Sequence, residues 1–188
     1  RRTRPHNFPL AKSLMTMRGI NQLMDLTGRK ALITGGAGHI ALAVGETLVE
    51  LGASVSVLDL DPEACRERAE ALGHSALAIP CDLKDEDATR QAMRRTMTEA
   101  RGLDILVHCA AYVGDTPIPG WVVPFQEQTV EAWDAAMRVN LTSAFVMVQE
   151  AKDALVASGH GSVIFFSSLY GMVGPDFRLY DDTDKGNP

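Results

Sequence analysis

Residues 30–41 read KALITGGAGHIA, a short apolar run that breaks into a turn rich in glycine. The apolar run at 31–33 predicts a buried strand. After the turn, apolar residues recur at helical spacing from Ile40 onward, and Gly52 predicts the end of that helix. A strand, a glycine turn and a helix in this order are typical of the phosphate-binding corner of a dinucleotide fold.

The small residues of this turn have separate tasks in such a corner. Gly35 can adopt a backbone angle that a side chain disfavours, and Gly38 lets the main chain approach a pyrophosphate closely. The next residues, His39 and Ile40, begin the helix, whose free N–H groups and partial positive charge attract an anion. We therefore predict that these four residues contact a bound dinucleotide. The alternative is an ordinary strand-to-helix turn.

A second apolar run, residues 53–58, ends in Asp59. This acid follows the glycines by about twenty residues, where it can accept hydrogen bonds from the ribose hydroxyls of adenosine. A carboxylate there would repel a 2′-phosphate, so the sequence favours NAD over NADP. The alternative is a solvated acid at the end of a strand.

Three further apolar runs predict strands at residues 76–79, 103–108 and 162–166. Helical patterns separate the runs, which implies a parallel sheet with right-handed crossovers. We therefore predict an α/β fold, a Rossmann-like doubly wound parallel sheet in three α/β/α layers. Residues 24–188 are expected to form this NAD(P)-binding domain, incomplete after about its fifth strand.

Ligands of open α/β sheets bind at the carboxyl ends of the strands, where further candidates lie. Asp82, followed by Leu83, either faces the adenine amino group or caps the next helix. Ala110 and Ala111 are small enough for the backbone to pass close to a cofactor ring. Two serines end the fifth strand, the second of them Ser168.

A long helical region, residues 129–158, contains Asn140. A mid-helix Asn is a poor helix former unless its side chain has a local task. The apolar residues around it predict partial burial, and the alternative is a polar surface position.

The composition restricts the class of protein. A chain of 188 residues, 46% hydrophobic and 22% charged, is typical of a soluble globular domain. A net charge of −6 gives no electrostatic support for a nucleic-acid partner. No apolar run is long enough to cross a membrane. Three cysteines without a metal-like cluster indicate no metal site and favour a cytoplasmic protein with reduced thiols.

The first residues differ from the rest in charge. Residues 1–23 are basic and contain no acid. They are either a transit peptide or an extension upstream of a start at Met24. We expect this segment to be disordered and leave it out of the fold.

Five features together resemble the pattern of the short-chain dehydrogenase/reductase family over about residues 25–188: the motif T-G-x-x-G-x-x-A at residues 34–41, Asp59, Asp82, Asn140 and Ser168. The resemblance implies hydride transfer between a nicotinamide cofactor and a carbonyl or secondary alcohol. It implies that Asn140 holds a proton-relay water and that Ser168 hydrogen-bonds the substrate oxygen. It also implies a small-molecule substrate, and the tail resembles relatives placed in sugar metabolism. We expect the parent enzyme to be a homo-oligomer.

The chain departs from the family pattern after strand four. The family has Asn-Asn-Ala-Gly where this chain has His108-Cys109-Ala110-Ala111. Both amides are absent, which puts the strand-stabilising hydrogen bonds there in question. In the turn, His39 stands where many members have the second glycine.

The family's acid/base pair, Tyr-x-x-x-Lys after strand five, is absent from this chain. Tyr180 lies near the expected distance from Ser168, but Lys185 follows it at a spacing of five residues. Aspartates nearby would raise the pKa of Tyr180, the wrong direction for a base, so we interpret it as a loop residue. Residues 186–188, Gly-Asn-Pro, resemble the end of an insertion just before the catalytic Tyr of some relatives. We therefore expect a fragment that stops before its general acid and is not a competent catalyst.

Two alternatives remain at this point. One is a dinucleotide-binding regulator without catalysis. The other is an extended-type nucleotide-sugar epimerase or dehydratase, which the spacing of Gly35 and Gly38 suggests.

Overall fold

The computed structural model describes residues 19–73, 75–114, 116–180 and 182–183. The extension predicted at 1–23 lies outside the described residues up to residue 18, and its last part enters a short helix, α1 (Ile20–Met24). Residues 184–188, with Lys185 and the Gly-Asn-Pro sequence, lie outside the described residues as well.

Strands and helices alternate along the described chain. The strands are β1 (Lys30–Thr34), β2 (Ser54–Asp59), β3 (Leu77–Pro80), β4 (Ile105–His108) and β5 (Ser162–Phe165). The longer helices are α2 (His39–Glu50), α3 (Pro62–Leu72), α4 (Glu86–Glu99), α5 (Val130–Met137) and α6 (Ser143–Ser158). Short 3₁₀ turns cover Phe125–Glu127, Leu169–Gly171 and Phe177–Tyr180.

The strands form one parallel sheet in the order β3-β2-β1-β4-β5. From the central β1 the chain moves outward to β2 and β3, and then returns to the other side of β1 as β4. The order of strands therefore reverses between β1 and β4, and a crevice opens at their carboxyl ends. The predicted fold class is confirmed.

Each face of the sheet has its own core, because successive strand residues point to opposite faces. Leu32 of β1 packs with Met93 of α4 and Met147 of α6, all fully buried. Its neighbours Ala31 and Ile33 belong to the core on the opposite face, which includes residues of α2 and α3. Two cores on two faces give the expected three layers.

The region predicted as one helix at 129–158 is interrupted, which corrects that expectation. Residues Arg138–Thr142 form a π turn between α5 and α6, where the N–H of Ser143 donates to the carbonyl of Arg138. Side chains also enter the hydrogen-bond ladder here, since the Ser143 hydroxyl donates to the Val139 carbonyl at 2.7 Å. Such insertions break the regular helical spacing, which the apolar periodicity of the sequence does not reveal.

The far edge of the sheet is open to solvent. All four residues of β5 are exposed, including Val163 and Phe165. Among the described helices, none combines the length and apolar character needed to span a bilayer.

Candidate nucleotide-binding site

A cleft of about 280 Å³ opens at the carboxyl ends of β1 to β4. Seven of the residues predicted to bind a cofactor line it: Gly35, Gly38, Asp59, Asp82, Leu83, Ala110 and Ala111. His39 and Ile40 begin α2 with exposed side chains and are not part of its lining. Only the backbone N–H groups of these two residues, at the start of the helix, could hydrogen-bond an anion in the cleft.

Six lining residues were not predicted: Leu58, Leu60, Cys81, Cys109, Tyr112 and Val139. Most of them end a strand or directly follow one, so the rule that ligands bind at strand ends could have found them. Val139 is different, because it comes from the π turn, far along the chain from any strand that lines the cleft. No pattern in the sequence assigns it to this site.

The glycine turn is shaped by one close approach and one helix start. Gly35 has φ +61°, and a Cβ atom there would lie 2.7 Å from the backbone nitrogen of Ala110. Gly38 precedes α2 and offers no side-chain cap to the first N–H groups of that helix. Uncapped N–H groups and the helix dipole together make a site for an anion.

Asp59 is the last residue of β2, and its side chain hydrogen-bonds the backbone of the glycine turn. Its Oδ2 accepts from the Ala37 N–H at 2.9 Å, and its Oδ1 accepts from the Leu60 N–H at 2.7 Å. The carboxylate therefore lies between the glycine turn and the start of the next loop. Asp59 also lines the cleft and remains partly accessible to solvent.

Arg68 of α3 reaches the same turn, which sequence reasoning missed. Its Nη2 donates to the Ala37 carbonyl at 3.0 Å. Among the described residues, no hydrogen-bond partner is found for its buried Nε. Ala37 is thus bonded on one side to an acid, Asp59, and on the other to a base. Helical spacing places Arg68 on the face of α3 that also carries Ala64, but only the packing of α3 reveals its reach.

The structure of the loop after β3 distinguishes between the two roles predicted for Asp82, a contact with adenine and a helix cap. The side chain that caps α4 belongs to Asp85, whose Oδ1 accepts from the Ala88 N–H at 3.0 Å. Asp82 instead accepts from the Lys84 N–H at 2.9 Å in a local turn, and it lines the cleft. The capping alternative for Asp82 is therefore wrong.

His108, which stands where the family has the first of the two missing amides, hydrogen-bonds two neighbouring elements. Its Nδ1 lies 2.8 Å from the Thr34 hydroxyl, and its Nε2 lies 3.2 Å from the Val139 carbonyl. The Thr34 oxygen also accepts from the Ala110 N–H at 3.2 Å. An imidazole therefore bridges β1, β4 and the π turn, and burial lowers its pKa.

The two thiols that line the cleft are neutral at physiological pH. Burial raises the pKa of Cys81 to about 11, and burial also raises the pKa of Cys109. Neutral thiols behave as small apolar groups, so they add an apolar wall to the cleft rather than a nucleophile.

Asn140 lies in the π turn with an exposed side chain, which corrects the expectation of partial burial. The buried residue at this point is its neighbour Val139. The Asn140 amide nevertheless has a local task, since its Oδ1 accepts from the Tyr112 N–H at 2.7 Å and its Nδ2 donates to the Tyr112 carbonyl at 3.3 Å. Asn140 therefore fastens the loop that follows β4, although it does not line the cleft.

Ser168 lies beyond β5 and outside the cleft lining. Its Oγ accepts from the Tyr170 N–H at 3.2 Å and starts a 3₁₀ turn. The Tyr180 hydroxyl donates to the Tyr170 hydroxyl at 3.3 Å, and this bond raises the pKa of Tyr180. The expected direction is therefore correct, and among the described residues the largest cause is Tyr170; Asp181 and Asp184 lie outside the described residues. Tyr180 ends a 3₁₀ turn instead of lying in a longer helix.

Comparisons with known proteins agree with this geometry. A sequence model described as short chain dehydrogenase matches residues 29–180. The 2,5-dichloro-2,5-cyclohexadiene-1,4-diol dehydrogenase LinX of Sphingobium indicum is 35% identical over 150 residues, which are 78% of this chain and 57% of that protein. Sorbitol dehydrogenase of Cereibacter sphaeroides is 33% identical over 75% of this chain and 52% of its own length.

Solved structures give the same result. A short-chain type dehydrogenase/reductase from Mycobacterium marinum superposes with a TM-score of 0.73 at 29% identity, covering 84% of this chain and 63% of that one. The chain thus spans little more than half the length of the curated relatives it matches.

Proposed function

The chain belongs to the short chain dehydrogenase family, and on that premise we propose that the whole protein is an NAD(P)-dependent oxidoreductase. The reaction is hydride transfer between a nicotinamide cofactor and a carbonyl or secondary alcohol. One observation supports this best: the cleft joins the uncapped start of α2 to the ends of four parallel strands, with Gly35 packed against Ala110.

The residues present fit a dinucleotide. The turn at Gly35 has no room for a side chain, and the α2 N-terminus provides N–H groups for a pyrophosphate. The Asp59 carboxylate can accept from ribose hydroxyls, and Asp82 with Leu83 can border the adenine. When bound, the dinucleotide supplies the redox chemistry, and this chain binds and orients it.

NAD is the preferred cofactor in this proposal. The Asp59 carboxylate lines the cleft beside the glycine turn, and its negative charge would repel the 2′-phosphate of an NADP bound there. Arg68 lies beside the same turn, but its Nη2 donates to the Ala37 carbonyl. The acid therefore has the larger influence on cofactor choice.

Asn140 and Ser168 are proposed to act on the substrate side. Asn140, bonded to the Tyr112 backbone, orders the loop after β4 and supports a proton relay. The Ser168 hydroxyl accepts one hydrogen bond from the Tyr170 N–H, and among the described residues no acceptor takes its proton, which can therefore serve a substrate oxygen.

The substrate in this proposal is a small hydroxylated molecule, with sugar-related compounds included. Relatives named for a cyclic diol and for sorbitol support that class. The regulator and the nucleotide-sugar epimerase or dehydratase have no comparable observation in their favour. We also place the protein in the cytoplasm, which its free cysteines support.

A homo-oligomer is the proposed assembly. Trp133, Met137, Leu141 and Phe145 follow one another at intervals of four residues along α5, the π turn and α6, and all four are exposed. Several large exposed apolar side chains within one helical segment are typical of a protein interface. Light scattering of the full-length gene product tests this, and a monomer at micromolar concentration would contradict it.

The activity is tested on the full-length gene product. NADH binding is measured by energy transfer from protein tryptophan to nicotinamide, and oxidation of diols and sugar alcohols is followed at the NADH absorbance. We expect NADH to bind and at least one secondary alcohol to be oxidised. Binding without turnover of any alcohol or carbonyl would favour the regulator, and failure to bind would refute the proposal.

A further inference from the structure

His108 is buried at the meeting point of three elements. Its side chain is 4% exposed. It bonds Thr34 of β1 through Nδ1 and the Val139 carbonyl of the π turn through Nε2. On the remaining side its ring meets Phe165 of β5 edge to face, with ring centroids 6.0 Å apart.

These partners fit a neutral imidazole with its proton on Nε2. A carbonyl can only accept, so the bond to Val139 requires a proton on Nε2. The Thr34 oxygen already accepts from the Ala110 N–H, so its hydroxyl proton is free to point to an unprotonated Nδ1. Burial lowers the pKa of His108 and so favours this neutral form, with the proton on Nε2. The bonded chain runs from Ala110 through Thr34 and His108 to Val139.

Both ends of this chain belong to the cleft. Ala110 and Val139 line it, and Thr34 directly precedes Gly35. We infer that His108 is a positioning residue for the nucleotide: it fastens the π turn to the strand that leads into the glycine turn, and so sets the cleft wall formed by Val139. This inference rests on the proposed function only for the identity of the nucleotide.

The link is expected to depend on pH. The partners from β1, the π turn and β5 carry no charge: Thr34, the backbone of Val139 and Asn140, and Phe165. Cys109, beside His108 in the chain, stays a neutral thiol because burial raises its pKa. Burial accordingly lowers the pKa of His108. A second proton on Nδ1 would place a positive charge in this buried site and would make the Thr34 hydroxyl turn its own proton away and accept from Nδ1, so acid opposes the present arrangement of the link.

Three substitutions separate the two bonds. His108→Gln can still donate to Val139, because its amide nitrogen reaches the position of Nε2. His108→Asn can accept from Thr34 but is too short for Val139. His108→Phe keeps the ring volume and the contact with Phe165 but makes neither bond.

The experiment uses the full-length gene product with NADH as the probe. We expect the NADH dissociation constant to rise about tenfold in His108→Phe, which is the scale of one lost buried hydrogen bond. His108→Gln should stay within about threefold of the wild type, and His108→Asn should resemble His108→Phe. A folded His108→Phe with unchanged affinity would overturn the inference, as would a His108→Gln weaker than His108→Phe.

The ring itself gives an independent readout. Nitrogen NMR of the wild type should show a neutral His108 with the proton on Nε2 at pH 7. In a His39→Gln background, which removes the exposed histidine at the start of α2, NADH affinity should fall in step with protonation of His108 as the pH drops through its lowered pKa. A charged ring at pH 7, the other tautomer, or affinity that ignores the ring titration would refute the positioning role even if His108→Phe does not fold. Failure of the wild type to bind NADH would refute the proposed function, and the ring tautomer would still test the link.

Discussion

Gly35 and Ala110 approach each other so closely that a Cβ atom on Gly35 would lie 2.7 Å from both the Cα atom and the backbone nitrogen of Ala110. The first residue follows β1 and the second follows β4, so this contact closes the point where the strand order reverses. The close approach of the two backbones in the cleft therefore requires a residue without a side chain at position 35.

Substitution Gly35→Ala should damage both stability and nucleotide binding. The φ of +61° alone costs a side chain about 1–3 kcal/mol, and the clash with Ala110 adds to it. Urea unfolding and NADH titration measure the two losses. The matched control is Gly171→Ala, where a Cβ atom meets nothing within 4 Å. Equal effects of the two substitutions would contradict the role given to Gly35.

Substitution Asp59→Asn should shift cofactor preference toward NADP. The amide keeps an acceptor oxygen but removes the charge, so we expect the ratio of NADP to NAD affinity to rise about tenfold. Asp61→Asn is the control, because Asn also caps a helix well. If Arg68 contacts the 2′-phosphate in the variant, adding Arg68→Ala should remove the gain. An unchanged ratio in Asp59→Asn would refute the preference for NAD.

The two acids after β3 should respond in opposite ways to replacement by alanine. Asp85→Ala removes the cap of α4 and should lower the free energy of unfolding by about 1 kcal/mol, with NADH affinity unchanged. Asp82→Ala should weaken NADH binding while the unfolding curve stays near that of the wild type. Chemical denaturation and NADH titration of both variants give the answer. The reverse pattern would show that Asp82, and not Asp85, caps α4.

Glu150 should make the free energy of unfolding depend on pH in the acid range. Its Oε1 accepts from Arg94 at 2.6 Å and its Oε2 from Arg90 at 3.2 Å, which joins α6 to α4. The Arg94 guanidinium first, and Arg90 with it, lowers the pKa of Glu150. The unfolded chain therefore binds this proton more readily, so the stabilisation is present above the normal Glu range and is lost as pH falls through the lowered pKa.

Substitution Glu150→Gln tests this dependence. Urea unfolding should show a less stable variant at pH 7 and a smaller difference from the wild type in acid. Glu99→Gln is the control, because Glu99 pairs only with Arg95 of its own helix among the described ion pairs. A difference that persists unchanged at low pH would contradict the ion-pair explanation.

Much of the fold could be predicted because its signals are local. Apolar runs located the five strands, and their alternation with helices implied the parallel sheet. Turn chemistry also acts over a few residues, which is why Gly35 and Asp59 could be identified as candidates that line the cleft. For a residue that directly follows a parallel strand, the predicted strand alone is enough to place it at the cleft.

Contacts between distant residues could not be predicted in this way. His108 bonds to two other elements only because Thr34 and Val139 arrive beside it from separate parts of the chain. The π turn at Asn140 and the reach of Arg68 to Ala37 likewise depend on packing between elements. The local sequence pattern predicts which face of a helix or strand is apolar. It does not predict which polar groups from other elements will meet at that face. Burial then requires each of those polar groups to find a partner, and the assembled fold supplies it.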